Sequence, residues 1–290
     1  MFDKIIFYNL FHSGDVFISK SFVKYIVNNV PAKEYVYVHC WGSKILMDIE
    51  NLGYFHWPDS DFPLTHGERW KILGNDLYIN TWIGVDNSKF LSAYNITLLG
   101  FHSLFKEGLK EFCGHELVGE PLDFIPDIDF SKFDVSNIDK FMASNSATKR
   151  ILIDTCLIMS GQSLNFNFSS IIEKIALKFK DYHFFITNYP KEVNLNNVFY
   201  CRDITGIDED IVECAYFGNF CSTIIGRASG AYNYCVTKYN IIENPKKFIT
   251  FAYNSIPPVF GIFTFQNCVT SEDFSESNIM NIIESNVGER

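Results

Sequence analysis

The sequence predicts an α/β protein made of two βαβ domains, each built on a parallel sheet, with their strand-end loops facing across a cleft. Three observations predict it. Continuous apolar runs at Lys4–Leu10, Arg150–Met159 and Ser222–Ile225 suit central strands buried on both faces. Each run ends in small polar residues and is followed by helical spacing. Between the halves, residues 119–147 change to Asp, Ser, Asn and Pro with isolated apolar residues, the composition of a domain connection.

Taken in order, Lys4–Leu10 is a strand that ends at Phe11-His12-Ser13-Gly14-Asp15, and Val16–Asn28 has helical spacing. Tyr35–Cys40 reads as a second strand and Ser43–Asn51 as a second, short helix, which completes a βαβα opening. Ligands of such sheets collect at the carboxyl ends of the strands, where the loop at 11–15 lies. Asp76–Trp82 suits a strand and Leu98–Cys113 a helix. The aromatic and basic residues before them (His56, Trp57, His66, Arg69 and Trp70) either line a cleft or cover the sheet. The first domain is read as 1–145 and the second as 146–290.

The second half restarts at Arg150–Met159 and turns at Ser160-Gly161-Gln162-Ser163. Helical spacing at Phe168–Lys180 precedes strands at Tyr182–Thr187 and Val198–Cys201. Asp208–Gly218 reads as a helix that leads into Ser222–Ile225. Tyr239–Ile242 and Phe248–Phe251 are expected to be the last strands, and Asn278–Ser285 a closing helix.

The most informative stretch is the turn Gly226-Arg227-Ala228-Ser229-Gly230 after the strand at 222–225. A strand that enters a helix through small residues leaves the first helical N–H groups unpaired at the positive end of the dipole. Here an arginine and a serine hydroxyl join them. The turn is either a cradle for the phosphates of a nucleotide-linked substrate, or a tight turn with Arg227 in a structural ion pair. Only five arginines occur in the chain (Arg69, Arg150, Arg202, Arg227 and Arg290), so each internal one draws attention to its phosphate-binding fork.

Composition sets further bounds. A net charge of −10 argues against nonspecific nucleic-acid binding, which needs a basic surface. The eight cysteines lie mostly in apolar runs without CxxC or zinc spacing, as reduced core residues do. No signal-peptide pattern opens the chain and no run approaches a membrane span, so a cytoplasmic location is expected.

On two stretches the chain resembles glycosyltransferases of the GT-B architecture, with its two Rossmann-like domains. The strand–loop–Gly14-Asp15-Val16–helix opening is similar to that of bacterial heptosyltransferase-type enzymes. The second stretch is the strand–Gly226-Arg227-Ala228-Ser229-Gly230–helix, placed where such enzymes bind the donor diphosphate. The resemblance implies a nucleotide-sugar donor, a glycan or lipid-linked acceptor, and inverting transfer. It makes Asp15 the base that deprotonates the acceptor hydroxyl, with His12 in reserve; a helix cap is the alternative for Asp15. The donor-binding set is Gly14, Gly226, Arg227, Ser229 and Gly230, with Ser160 and Gly161 from the turn after Arg150–Met159.

The loop departs from the family pattern, which has Asp or Thr before the Ser-Gly step. An arginine there resembles enzymes that neutralise the diphosphate without metal. Asp127-Ile-Asp129 lies in the connection rather than at a strand end, so no metal and no cofactor are expected. The alternatives of a different class are an epimerase-like nucleotide-sugar enzyme and a noncatalytic binding protein.

Overall fold

The computed structural model describes residues 1–9, 13–39, 44–55, 68–82, 98–145, 147, 149–158, 161, 163–188, 193–206, 211–253 and 267–287. The chain divides into two compact units, and among the described residues the division falls between Ile128 and Asp129.

In the first unit, β1 (Phe2–Asn9) leads through α1 (Ser13–Asn29) to β2 (Ala32–His39) and β3 (Leu52–Phe55). A hairpin, β4 (Trp70–Leu73) and β5 (Asp76–Asn80), follows, and then α2 (Leu98–Cys113). The sheet order is β3-β2-β1-β5-β4, parallel except for the antiparallel edge strand β4. The parallel register sets Asn9 beside His39 and Tyr8 beside Asn80. Strand order reverses between β1 and β5, so the carboxyl end of β1 borders the crevice of this sheet. One face is filled by aromatic side chains. Phe22 of α1 stacks on Phe105 at 4.7 Å and on Phe124 at 4.6 Å, and meets Phe101 edge-on. Phe124 comes from the part of the connecting stretch before Asp129, and it anchors that part in this core.

The second unit contains α3 (Ser136–Ser144), β6 (Lys149–Asp154), α4 (Ser169–Lys178), β7 (Tyr182–Ile186), β8 (Val198–Tyr200) and α5 (Cys201–Thr205). It continues with α6 (Ile211–Phe220), β9 (Thr223–Arg227), α7 (Gly230–Tyr234), β10 (Lys247–Phe251), β11 (Cys268–Ser271) and α8 (Glu276–Val287). Its sheet is parallel throughout, in the order β11-β10-β9-β6-β7-β8. The chain winds outward from β6 to β8, then returns to lay β9 on the other side of β6. That is the doubly wound order, with its reversal between β6 and β9. Ile151, Ile153, Ile225 and Ile249 cover one face beneath α4 and α8, whose Ile171, Ile172, Ile175, Ile279 and Ile283 pack on them.

Several expectations shift. Residues 136–144, read as part of the first domain's connection, form the helix α3 in the second unit, where Phe141 packs edge-on against Phe185 and Phe199. The expected strand at 239–242 is a π-helical turn, Tyr239–Glu243, closed by the Asn244 amide donating to the Tyr239 carbonyl at 2.7 Å. The place beside β9 goes to β10 instead, and Asn240 donates its side-chain amide to the Cys235 carbonyl at 2.9 Å. The helix expected at 43–51 is reduced to a turn at Lys44–Leu46, followed by Asn51 in the left-handed region at φ 65°. Arg69 and Trp70 belong to the sheet cover: Arg69 lies over the Phe101 ring and donates to the Asn80 and Trp82 carbonyls. His56, Trp57 and His66 lie outside the described residues.

Candidate functional site

At the reversal point of the second unit, β6 ends in Asp154 and β9 in Arg227. Both are almost wholly buried. The guanidinium of Arg227 does not point to solvent. Nη1 donates to the Phe166 carbonyl at 2.6 Å, Nη2 to the Cys156 carbonyl at 3.0 Å and to the Thr155 carbonyl, and Nε to Cys156 at 3.3 Å. Four of its five N–H directions are thereby used. Its plane lies against the Phe166 and Phe168 rings, 5.3 and 5.0 Å from their centroids. Burial pulls its pKa down, and the neighbouring Asp154 opposes that shift. Arg227, expected to fork onto phosphate, instead staples the exit of β6 to the segment before α4. A structural role is one of the two readings of Arg227, but its partners are not an acid: they are main-chain carbonyls 61 to 72 residues away.

The rest of the turn is equally interlocked. Ser229 caps α7 by accepting from the Tyr232 amide at 2.9 Å, and donates to Asp154 at 2.6 Å. Asp154 also accepts from Thr187 at 2.8 Å. Asp154 and Thr187, absent from the expected set, are therefore what orient Ser229; the signal was a carboxylate that ends an otherwise apolar run. Gly226 allows close approach: a Cβ there would come within 2.4 Å of the Tyr232 ring and 3.1 Å of the Asp154 Cβ. Gly230 opens the five-residue α7 and is partly exposed. Gly161 is exposed at φ +69°, a conformation that favours glycine. Asn165 fastens that loop by accepting from the Ile158 amide at 2.8 Å and donating to its carbonyl at 3.0 Å. Ser160 lies outside the described residues.

In the first unit, Gly14 and Asp15 lie in the first turn of α1, just past the end of β1. Gly14 is buried. The helix begins at Ser13, so Asp15 is inside the first turn rather than at the capping position. The residue keeps part of its surface exposed, yet protein atoms crowd the carboxyl, and the loss of water pushes its pKa up to about 7. His12 lies outside the described residues. The strand ends nearby carry polar side chains that sequence reading passed over: Asn9, His39, Asn80 and Thr81 are all buried. Thr81 is fixed by Tyr37, whose hydroxyl lies 2.6 Å from Oγ1. Their signal was again position, each at or just past the end of an apolar strand. Among the described residues no group of three or more His, Cys, Asp or Glu could hold a metal ion, and no helix is long and apolar enough to cross a membrane.

Two mixed α/β units with parallel sheets, reversed beside these turns, give the chain the fold of GT-B glycosyltransferase structures. E. coli ADP-heptose LPS heptosyltransferase II matches it with a TM-score of 0.53 at 10% identity, over 98% of each chain. E. coli heptosyltransferase WaaC with ADP matches at 0.51 and 8% identity, over 98% of this chain and 99% of that one. S. aureus MnaA with UDP matches at 0.50 and 9% identity, over 100% of this chain and 89% of that one. At such identities the likeness is one of fold. No family model and no curated protein sequence matches the chain.

Proposed function

We propose that the chain is an inverting, metal-independent glycosyltransferase that takes its sugar from a nucleotide-activated donor. The observation that carries this reading is the fold match over nearly the whole chain to heptosyltransferase structures, one of them with ADP. Asp15 supports it, because a carboxyl titrating near neutrality at a strand end is suited to accept a proton at pH 7. In the proposed step Asp15 takes the proton of a glycan or lipid-linked acceptor hydroxyl as that oxygen attacks the anomeric carbon. The bond to the donor diphosphate breaks on the opposite side, and the nucleoside diphosphate leaves. The diphosphate is assigned to the turn after β9, with Arg227 shaping that turn from within rather than touching phosphate. Metal independence rests on the acidic residues: of Asp127-Ile-Asp129, Asp129 accepts from the Ser131 amide and hydroxyl at the start of a short turn. The seven free cysteines among the described residues support work in a reducing, cytoplasmic setting.

Release of nucleoside diphosphate from ADP- and UDP-sugars tests the reading. Wild type should release it, and Asp15→Asn should lose roughly 10²–10⁴ in rate while keeping any thermal shift produced by ADP or UDP. A protein that neither shifts nor cleaves any donor would refute it. One observation favours a noncatalytic alternative: Arg227 and Ser229 are engaged internally. A nucleotide-dependent thermal shift without donor cleavage would establish that alternative.

A further inference from the structure

Three cysteines of the second unit gather where β6, β7 and β8 end side by side, and the proposed transfer uses none of them. Cys201 follows the last residue of β8 and opens α5, Cys214 lies in α6, and Cys156 stands two residues past β6. Cys214 is the middle one. Its thiol donates to the carbonyl of Thr187, the residue after β7, at 3.7 Å. Cys156 approaches the Thr187 hydroxyl at 3.9 Å. Cys201 hydrogen-bonds to Cys214 itself. Because the single S–H of Cys214 is spent on Thr187, Cys201 donates and the Cys214 sulfur accepts. The two sulfurs are thus in contact between consecutive helices. They differ in access: Cys201 is fully buried, whereas Cys214 keeps part of its surface. Burial pushes the Cys201 thiol up and keeps it protonated. Cys156 also has some surface, but the protein atoms around its sulfur, and then the charge of Asp154, push it up too. An oxidant therefore reacts first at Cys214, with a second sulfur already in place behind it.

From this arrangement we infer that Cys214 is a modification site for hydrogen peroxide and that Cys201 closes a disulfide onto it. The Cys214 sulfur, as thiolate, attacks one peroxide oxygen; the O–O bond breaks, an S–O bond forms, and hydroxide leaves to take up the thiol proton. The Cys201 sulfur then attacks the sulfenic sulfur. The S–S bond forms, the S–O bond breaks, and the oxygen departs as water with the Cys201 proton. Two thiols are oxidised and one peroxide is reduced to two waters. The bridge takes from the Thr187 carbonyl its S–H donor, and the hydroxyl of that same residue holds Asp154 at 2.8 Å. The modification is independent of whether the turn after β9 binds nucleotide.

The test exposes the full chain, reduced and then freed of reductant, to hydrogen peroxide while it is native. Catalase stops the reaction, N-ethylmaleimide blocks the remaining thiols in denaturant, and tryptic peptides are mapped by mass spectrometry. Cleavage after Arg202 puts Cys201 and Cys214 on separate peptides, which should be found joined. Cys221 shares the Cys214 peptide, so fragment ions must place the link on Cys214. The link should be lost in Cys214→Ser and kept in Cys156→Ser. In Cys201→Ala, dimedone should trap the sulfenic acid on Cys214; if that variant fails to fold, the wild-type link and its loss in Cys214→Ser decide. Absence of the link in wild type would overturn the pairing. So would a link from Cys201 to Cys156 or Cys221, or one that persists in Cys214→Ser. A link that forms no faster in the native chain than in urea-unfolded chain would overturn it as well, since the native contact would then play no part.

Discussion

A carboxyl whose pKa stands at about 7 instead of 3.8 changes charge within the range where an enzyme is assayed, and Asp15 is such a group. Its cause is burial, so the sign follows directly. Between pH 3.8 and about 7 the native chain holds a proton that the unfolded chain has released. Stability from this group is therefore greatest at low pH, declines across that window and levels off above it. Asp15→Asn should remove the decline, so urea midpoints measured from pH 5 to 8 should be flatter for the variant than for wild type. If Asp15 is also the base, kcat/KM for donor turnover should be half-maximal near pH 7 and level off above it. Arg227 makes the opposite kind of prediction. Arg227→Ala strips the Thr155, Cys156 and Phe166 carbonyls of their donors and removes the cation neighbouring buried Asp154, which keeps its hydrogen bonds from Ser229 and Thr187. It should cost about 3–5 kcal/mol in chemical denaturation, far more than a surface phosphate ligand would. The sequence made the arginine conspicuous, but its partners come from another strand and another loop, which local reading does not bring together.

At the scale of elements, the turn between β9 and α7 works by close packing. Gly226→Ala would press a methyl group into the Tyr232 ring, whose hydroxyl is tied to Thr250 at 2.8 Å and so gives way poorly. A loss of roughly 1–3 kcal/mol, read from the denaturation midpoint, is expected. The central strands β1, β6 and β9 were legible because parallel strands covered on both faces must be apolar throughout. The edge strand β4 was not, since Ile72 and Leu73 are exposed and no alternation marks it. Tyr239–Glu243 misled for a related reason. Its Tyr and Ile residues have strand propensity, but propensity gives way to what the sheet edge already holds.

At the scale of the whole molecule, the division between Ile128 and Asp129 falls inside the stretch 119–147, and the unit each part of that stretch joins depends on single aromatic anchors, Phe124 in the first unit and Phe141 in the second. Such anchors look alike in sequence and differ only in the ring each one meets. The cysteines give a test of the environment the whole chain was made for. Titration of denatured protein without reductant should find all eight as thiols, and a shortfall would mean disulfides form. β9 carries a final consequence. Every residue from Thr223 to Arg227 is buried, and the strand is paired on both sides. Its amide protons can reach solvent only when the second unit opens as a whole, so in deuterated buffer they should be among its last to exchange, and their rate should report the lifetime of that unit.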